Sequence, residues 1–244
     1  MKPFLLLQTR PEDIAADNEY EAFMEFGGLD SSQLFRYRIH EGILPRLKLE
    51  DYSGIFLGGG PYCVTDPPDK KSPGQIKCEA AIRRVLDGVI AGDRPFLGAC
   101  YIGSLIQLRG GMVSRKYSEV IRPYMMVKTA AGQRDKLLKG LPGSFIAYSG
   151  HKESCEQLPP GAINLVSSEL CPYQMIRFSQ NVYAVQFHPE LDEAGLELRV
   201  NVYKNYGYFP PEAAESLVAG AKLQPAIHPV KILRNFVNVY RAAA

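Results

Sequence analysis

The chain has 244 residues, 46% of them hydrophobic and 22% charged, and this ordinary globular composition excludes a disordered or fibrous protein. A formal net charge of +2, without a block of like charges, predicts no nucleic-acid partner. The apolar run at residues 4–7 is shorter than the roughly 7 residues of a signal-peptide core, and no run reaches the roughly 18 of a spanning helix. We therefore expect no membrane partner and a cytoplasmic location. Five cysteines, none in a C-x-x-C pair, predict free thiols rather than a disulfide framework.

The first half of the chain alternates short apolar runs with longer amphipathic stretches, a pattern typical of a parallel sheet covered by helices. In chain order it predicts strands at residues 4–7, 35–39, 54–57 and 95–98, and helices at residues 19–26 and 78–90. The third strand leads directly into Gly58-Gly59-Gly60-Pro61, where the backbone is able to approach a ligand closely. The proline-rich segment at residues 62–74 is predicted to be an exposed loop near the mouth of a site.

The second half of the chain is richer in short strands. Its pattern predicts strands at residues 120–128, 144–148, 164–167, 174–178 and 182–187, and two helices after Pro210. We therefore predict an α/β fold, a three-layer domain whose central, mostly parallel sheet is flanked by helices. The domain is expected to cover residues 1–209. The C-terminal helical extension at residues 210–244 either packs on this domain, which its apolar stripe favours, or presents a face to a partner.

Cys100 lies between a predicted strand and a predicted helix, in the sequence LGACYIG at residues 97–103. A strand-to-helix turn of this kind can hold a nucleophile in a strained elbow and aim its side chain out of the sheet. The start of the helix would also lower the pKa of the thiol and help to bind an oxyanion. Because free cysteine is a common core residue, the segment alone leaves a buried core cysteine open as well.

A histidine and a glutamate follow the last predicted strand, in the sequence YAVQFHPE at residues 183–190. A thiol nucleophile needs a base that takes its proton and a third group that orients the base, and His188 and Glu190 can fill these roles. Pro189 restricts the backbone between them, so both side chains can leave the strand end on the same side. Taken alone, the segment is also typical of a surface His-Pro turn.

Three segments together resemble the class I, or triad-type, glutamine amidotransferases: Gly58-Gly59-Gly60-Pro61, Gly98-Ala99-Cys100 and Gln186-Phe187-His188-Pro189-Glu190. The sequences SGHKE at 149–153, LPPGA at 158–162 and PYQ at 172–174 follow the order of that family too, so the likeness covers residues 4–207. It is closest to stand-alone relatives of the GMP synthase amidotransferase domain, which lack the ATP-using synthetase half. The resemblance implies the flavodoxin-like amidotransferase fold.

The resemblance implies an enzyme that hydrolyses the side-chain amide of L-glutamine through a γ-glutamyl thioester and releases glutamate and ammonia. It implies Cys100 as the nucleophile, His188 as the base and acid, and Glu190 as the group that orients His188. The backbone N–H groups of Gly60 and Tyr101 would form the oxyanion hole. The implied substrate-binding residues are Gly59, Ser104, Ser149, Gly150 and His151.

Two departures from the family pattern leave other functions open. The family reads G-x-C-x-G-x-Q, whereas Ile102 stands where the family has its second glycine, and Gly103 follows one place late. Ser104 takes the place of the family's glutamine, and a serine reaches less far toward a substrate. The alternatives are a γ-glutamyl hydrolase acting on a γ-glutamyl conjugate, and a catalytically impaired binding or regulatory homologue.

The resemblance also implies a partner, because the ammonia released in this family normally passes to a synthetase or another acceptor protein. No cofactor is predicted. No metal is predicted either, since His40 and His228 have no cysteine or carboxylate partner at metal-ligand spacing.

Overall fold

The structure, a computed structural model, describes residues 2–41 and 44–241 of the chain. Its strands are β1 (Phe4–Gln8), β2 (Leu34–Arg38), β3 (Gly54–Leu57), β4 (Phe96–Ala99), β5 (Met112–Ser114), β6 (Glu119–Lys128), β7 (Ser144–His151), β8 (Ser154–Gln157), β9 (Ile163–Ser167), β10 (Met175–Phe178) and β11 (Val182–Val185). Its helices are α1 (Asp13–Gly27), α2 (Pro73–Ala91), α3 (Gly103–Leu108), α4 (Glu193–Tyr203), α5 (Ala214–Leu223) and α6 (Val230–Arg241). Within the described residues, nine strands form one sheet in the order β2-β1-β3-β4-β11-β10-β9-β6-β7, and β5 pairs with β8.

The sheet has a parallel half and an antiparallel half. The neighbouring strands β2, β1, β3, β4 and β11 run parallel, whereas β10, β9, β6 and β7 continue the sheet with antiparallel pairs. The carboxyl ends of parallel strands meet at one edge of a sheet, which is where open α/β proteins bind their ligands. The segments that follow β1, β3, β4 and β11 therefore lie together at this edge.

The parallel strands are buried on both faces, in keeping with their continuous apolar sequences. On one face Phe4 and Phe56 belong to the same core as α1 and α6, and the ring centroid of Phe236 in α6 lies 4.9 Å from that of Phe56. On the other face Leu5 and Ile55 pack in a core that includes α2. Helices on both faces of a central sheet confirm the predicted α/β fold class.

The helices α1 and α2 begin more than a turn before their predicted starts. The start of α2 is fixed by Ser72, whose side-chain oxygen accepts a backbone hydrogen bond at 3.1 Å, and by Pro73, whose ring suits the first helical position. The predicted loop after the three glycines is therefore shorter than the sequence indicates and ends at Ser72. No helix within residues 2–41 and 44–241 is long and apolar enough to cross a membrane.

Candidate active site

Cys100 follows the last residue of β4, Ala99, in a left-handed backbone conformation with a φ of 60°. This conformation is unfavourable for a residue with a Cβ atom and is typical of a nucleophile elbow. The amide of Cys100 donates to the carbonyl of Val185 at the end of β11, at 2.7 Å, which ties the elbow to the neighbouring strand. The thiol therefore lies at the carboxyl edge of the parallel strands.

The chain between Cys100 and α3 forms an unusually tight turn. The amide of Tyr101 donates to the carbonyl of Ala99 at 2.7 Å, and the amide of Ile102 donates to the carbonyl of Cys100 at 2.9 Å. Each of these hydrogen bonds spans two residues, whereas an α-helical bond spans four. The helix α3 begins only at Gly103, so its first turn does not include the nucleophile, contrary to the sequence-based expectation.

The late glycine, Gly103, is required by packing at the start of α3. A Cβ atom added to Gly103 would lie 2.6 Å from the side chain of Val64 and 2.8 Å from Oε1 of Glu153. The carboxylate of Glu153 accepts hydrogen bonds from the amides of Val64 and Thr65, both at 2.9 Å, and holds that segment against the helix. The position of this glycine therefore follows from the segment after the glycine turn, which we define as residues 58–60.

His188 and Glu190 form a buried pair beside Cys100. Nδ1 of His188 lies 2.8 Å from Oε1 of Glu190, and the backbone amide of His188 donates to the carbonyl of Tyr148 at 2.9 Å. The thiol of Cys100 is within hydrogen-bonding reach of the imidazole, and it also points at the carbonyl of Gly150 at 3.8 Å. Because Glu190 occupies Nδ1, Nε2 remains for the thiol. The arrangement brings together the three side-chain types that a nucleophile, a base and an orienting acid require.

The protonation of this pair is set by two opposed effects. Burial favours neutral His188, but the carboxylate of Glu190 and the sulfur of Cys100 outweigh it and raise the pKa of His188 to about 9. Burial likewise favours a neutral Glu190, but the charge of His188 and its hydrogen bond outweigh this effect and lower the pKa of Glu190 to about 2. At neutral pH the pair is therefore an imidazolium with a carboxylate.

This pair makes stability depend on pH, and the unfolding free energy is expected to fall as the pH rises from 6.5 to about 9. Unfolded chains release the His188 proton near 6.5, whereas the folded protein keeps it up to about 9, so the stabilisation is complete below 6.5 and is lost as the pH passes 9. Thermal unfolding followed by circular dichroism across this range measures the effect. The variant His188→Gln is the control, because it should show a flatter dependence; an unchanged dependence contradicts the assignment.

The glycine turn closes one side of the thiol. A Cβ atom at Gly59 would lie 2.9 Å from Cε1 of His188, and one at Gly60 would lie 2.1 Å from Oγ1 of Thr9. The hydroxyl of Thr9 donates to the carbonyl of Gly59 at 2.8 Å and supports the turn from below. Of the two expected oxyanion donors, Gly60 lies on the wall of the catalytic cavity, whereas the amide of Tyr101 is engaged by Ala99.

A cavity of about 40 Å³ adjoins the thiol, which is room for a few water molecules. Its wall includes Cys100, His188, Gly60 and Gly150 together with apolar side chains from β6, α4 and the segment after α4. We call residues 204–209 the tyrosine strap, since Tyr208 in this segment covers the cavity.

The tyrosine strap is held by contacts on both sides. The hydroxyl of Tyr208 donates to the carbonyl of Gly60 at 3.3 Å, and Nζ of Lys152 lies 4.3 Å from the centre of the Tyr208 ring. Lys152 also donates to the carbonyl of Tyr206 at 2.7 Å, while the hydroxyl of Tyr206 donates to Glu12. A ligand larger than a few waters therefore requires the strap to move.

Three of the expected substrate-binding side chains lie away from the cavity wall. His151 is buried and pairs with Glu119 at 2.9 Å, Ser104 is buried on α3, and Ser149 is buried in β7. The backbone of the same loop does reach the site, since Gly150 lines the cavity and accepts from the thiol of Cys100. In the described part of the chain, no group of three His, Cys, Asp or Glu side chains is arranged to hold a metal ion.

The other cysteines are unsuited to nucleophilic attack. Cys63, Cys78, Cys155 and Cys171 are buried, whereas Cys100 is partly exposed. Burial raises the pKa of Cys78 to about 11 and that of the other three to about 12. At neutral pH these thiols stay protonated.

Several residues at the cavity are absent from the sequence-based assignment. They are Arg10, Glu19, Arg199, Tyr203 and Tyr208, which lie at or beneath the cavity. One signal was available: Arg10 follows the first strand directly, and the carboxyl end of a central strand is where α/β proteins place functional residues. Glu19 and Arg199 carry no such signal, because charged residues on amphipathic helices usually face solvent.

Residues 21–197, most of the chain, match the family described as Glutamine amidotransferase class-I. The chain belongs to this family. The resemblance inferred from the glycine turn, the elbow and the His-Pro-Glu segment is thereby confirmed, and the protein is an amidotransferase enzyme.

The amidotransferase is similar to glutamine-hydrolysing subunits of archaeal GMP synthases. It is 30% identical over 161 residues to the GMP synthase subunit from Sulfurisphaera tokodaii, covering 65% of this chain and 77% of that protein. The corresponding subunit from Methanococcus maripaludis is 34% identical over 162 residues, covering 65% and 76%. A glutamine amidotransferase of Thermotoga maritima shares the fold with a TM-score of 0.78 at 19% identity, over 98% of both chains.

Proposed function

We propose that the enzyme hydrolyses the side-chain amide of L-glutamine to glutamate and ammonia through a thioester on Cys100. The observation that carries this proposal is the strained elbow at Cys100 next to the buried His188–Glu190 pair, at one cavity. The names of the relatives, which are glutamine-hydrolysing, support glutamine as the substrate.

The proposed reaction proceeds in two halves. Nε2 of His188 takes the proton of the Cys100 thiol, and the thiolate attacks the amide carbon of the substrate to give a tetrahedral oxyanion beside Gly60. His188 then returns the proton to the leaving nitrogen, so the C–N bond breaks and ammonia departs. In the second half His188 takes a proton from water, the resulting hydroxide attacks the thioester, and the thiol and glutamate are released. Glu190 keeps the imidazole oriented throughout.

The wall of the cavity favours a small leaving group. Tyr208 lies over the glycine turn, and the space beside the thiol is about 40 Å³. Ammonia fits such a space, whereas the peptide or amine of a γ-glutamyl conjugate does not. Glutamine is therefore favoured over the conjugate.

The ammonia acceptor and the location belong to the same proposal. Relatives named as GMP synthase subunits support a synthetase as the partner, and the PurLQS structure of Thermotoga maritima is a further neighbour with a TM-score of 0.61. The five free thiols support a cytoplasmic location.

Covalent labelling tests the proposed function. The purified protein is treated with a glutamine-mimicking diazo-ketone, with and without excess L-glutamine, and the modified residue is mapped by mass spectrometry while ammonia release is measured separately. We expect labelling confined to Cys100, protection by L-glutamine, and ammonia release from L-glutamine. A plain thiol alkylator is the control. If it reaches Cys100 while the diazo-ketone does not, the glutamine assignment is wrong.

A further inference from the structure

A buried cluster of charges lies beneath the catalytic cavity, and we call Arg10, Glu19 and Arg199 the floor cluster. All three side chains are at least nine-tenths buried. Nε of Arg10 donates to Oε1 of Glu19 at 2.8 Å, and Nη1 of Arg199 lies 3.9 Å from the same oxygen. Buried charges are unfavourable unless they serve a purpose or are fully paired, so this cluster requires an explanation.

Glu19 contacts the glycine turn directly. Its Oε1 accepts a hydrogen bond from the amide of Gly59 at 3.1 Å. Its Oε2 would lie 2.3 Å from a Cβ atom at Gly58, so the carboxylate fills the space that a side chain there would need. Since Gly60 of the same turn lies on the cavity wall, Glu19 sets the position of a backbone that faces the reacting atoms.

The two arginines of the floor cluster reach the cavity itself. Arg10 and Arg199 both line its wall, and Nη2 of Arg10 would lie 2.6 Å from a Cβ atom at Gly59, next to His188. Nε and Nη1 of Arg199 are buried without a hydrogen-bond partner. Burial, together with the charge of Arg10, lowers the pKa of Arg199 to about 10. Two guanidinium groups therefore share one carboxylate, and positive charge remains beside the triad.

This excess charge acts on Glu190. After burial and the contact with His188, the charges of Arg199 and Arg10 are further influences on the Glu190 carboxyl, and both favour its ionised form. We propose that the floor cluster is a positioning device for the triad, in which Glu19 fixes the glycine turn while Arg10 and Arg199 keep Glu190 ionised. This inference rests on the proposed function and names three residues that act through the triad rather than on the substrate.

The sign of the electrostatic effect follows from the surrounding groups. The ionisable groups that face Cys100 and His188 are Glu190 after β11, Arg10 after β1, Glu19 on α1, Arg199 and Tyr203 on α4, and Tyr208 on the tyrosine strap. Removing the negative charge of Glu19 leaves more positive charge near the thiol and favours the thiolate. Removing the positive charge of Arg199 has the opposite effect.

Alkylation of Cys100 by iodoacetamide, followed by mass spectrometry as a function of pH, tests the inference. We expect the midpoint of the pH dependence to move down in Glu19→Gln and up in Arg199→Met, each by roughly half to one pH unit for a charge about 10 Å away. Glu19→Asp keeps the charge but shortens the side chain, so its midpoint should stay at the wild-type value. Asp17→Asn is the matched control on the same helix, since Asp17 is exposed and pairs with Arg36 at the surface.

Steady-state kinetics with L-glutamine complete the test. In Glu19→Gln and Glu19→Asp we expect kcat to fall about 10- to 100-fold with KM within about threefold, because displacement of the glycine turn misplaces a transition-state donor. Midpoints that do not move, or that move in the same direction in Glu19→Gln and Arg199→Met, overturn the inference. A kcat loss that matches a loss of folded protein also overturns it. If the wild type releases no ammonia, the proposed function fails, and the alkylation midpoints still decide on the floor cluster.

Discussion

Replacement of Cys100 by alanine is expected to reduce glutamine hydrolysis by about 10⁴-fold or more, since loss of a nucleophile removes the covalent route altogether. The elbow holds Cys100 at a φ of 60°, and the thiol lies beside His188. No other thiol can substitute, because the remaining cysteines are buried. Ammonia release, measured with a coupled enzyme assay at saturating L-glutamine, gives the loss in kcat.

The control for this variant is Cys63→Ala. Cys63 follows the glycine turn and is buried, and burial raises its pKa to about 12, so it takes no part in the reaction. Activity within about threefold of wild type is expected, because the substitution removes one sulfur atom outside the cavity wall. If Cys100→Ala retains a tenth or more of the wild-type activity, Cys100 is not the nucleophile.

The second large effect is expected for Glu190→Gln, with kcat lower by about 10³- to 10⁴-fold. Glutamine keeps the shape of the side chain but can present its amide N–H to the imidazole, which disfavours the tautomer that leaves Nε2 free for Cys100. The carboxylate also raises the pKa of His188, so its loss should move the alkaline limb of the pH–rate profile to lower pH. Kinetics from pH 6 to about 10 measure both changes.

Glu193→Gln provides the matched control for Glu190→Gln. Glu193 begins α4, only three positions further along the chain, and is partly exposed. Its substitution should leave the pH–rate profile in place. An alkaline limb at the wild-type pH in Glu190→Gln contradicts the assigned role even if kcat falls.

The parallel half of the fold and the triad could be predicted from local sequence. Continuous apolar runs mark strands buried on both faces, and Cys100, His188 and Glu190 each stand next to the end of such a strand. The topology of an α/β sheet brings these ends together, so residues far apart in sequence could be assigned to one site.

The rest of the site depends on tertiary contacts that the sequence pattern does not encode. The sequence assigns His151 to a substrate loop, but its partner Glu119 lies on the antiparallel neighbour strand and draws the imidazole away from the cavity. The amide of Tyr101 is similarly captured by Ala99 in the tight turn. Glu19 is one of several acidic residues on α1, and only the approach of the glycine turn distinguishes it from those that face solvent.

The tyrosine strap gives the enzyme a gated reaction cycle. Gly207, with a φ of 74°, reverses the chain so that Tyr208 returns over Gly60, and the enclosed space is about 40 Å³. Glutamine is larger than this space, so the strap must open before each turnover and close again behind the substrate. Closure removes bulk water from the thioester until the nitrogen has left. The opening rate of the strap is therefore an upper limit on kcat, however fast the chemistry at Cys100 becomes.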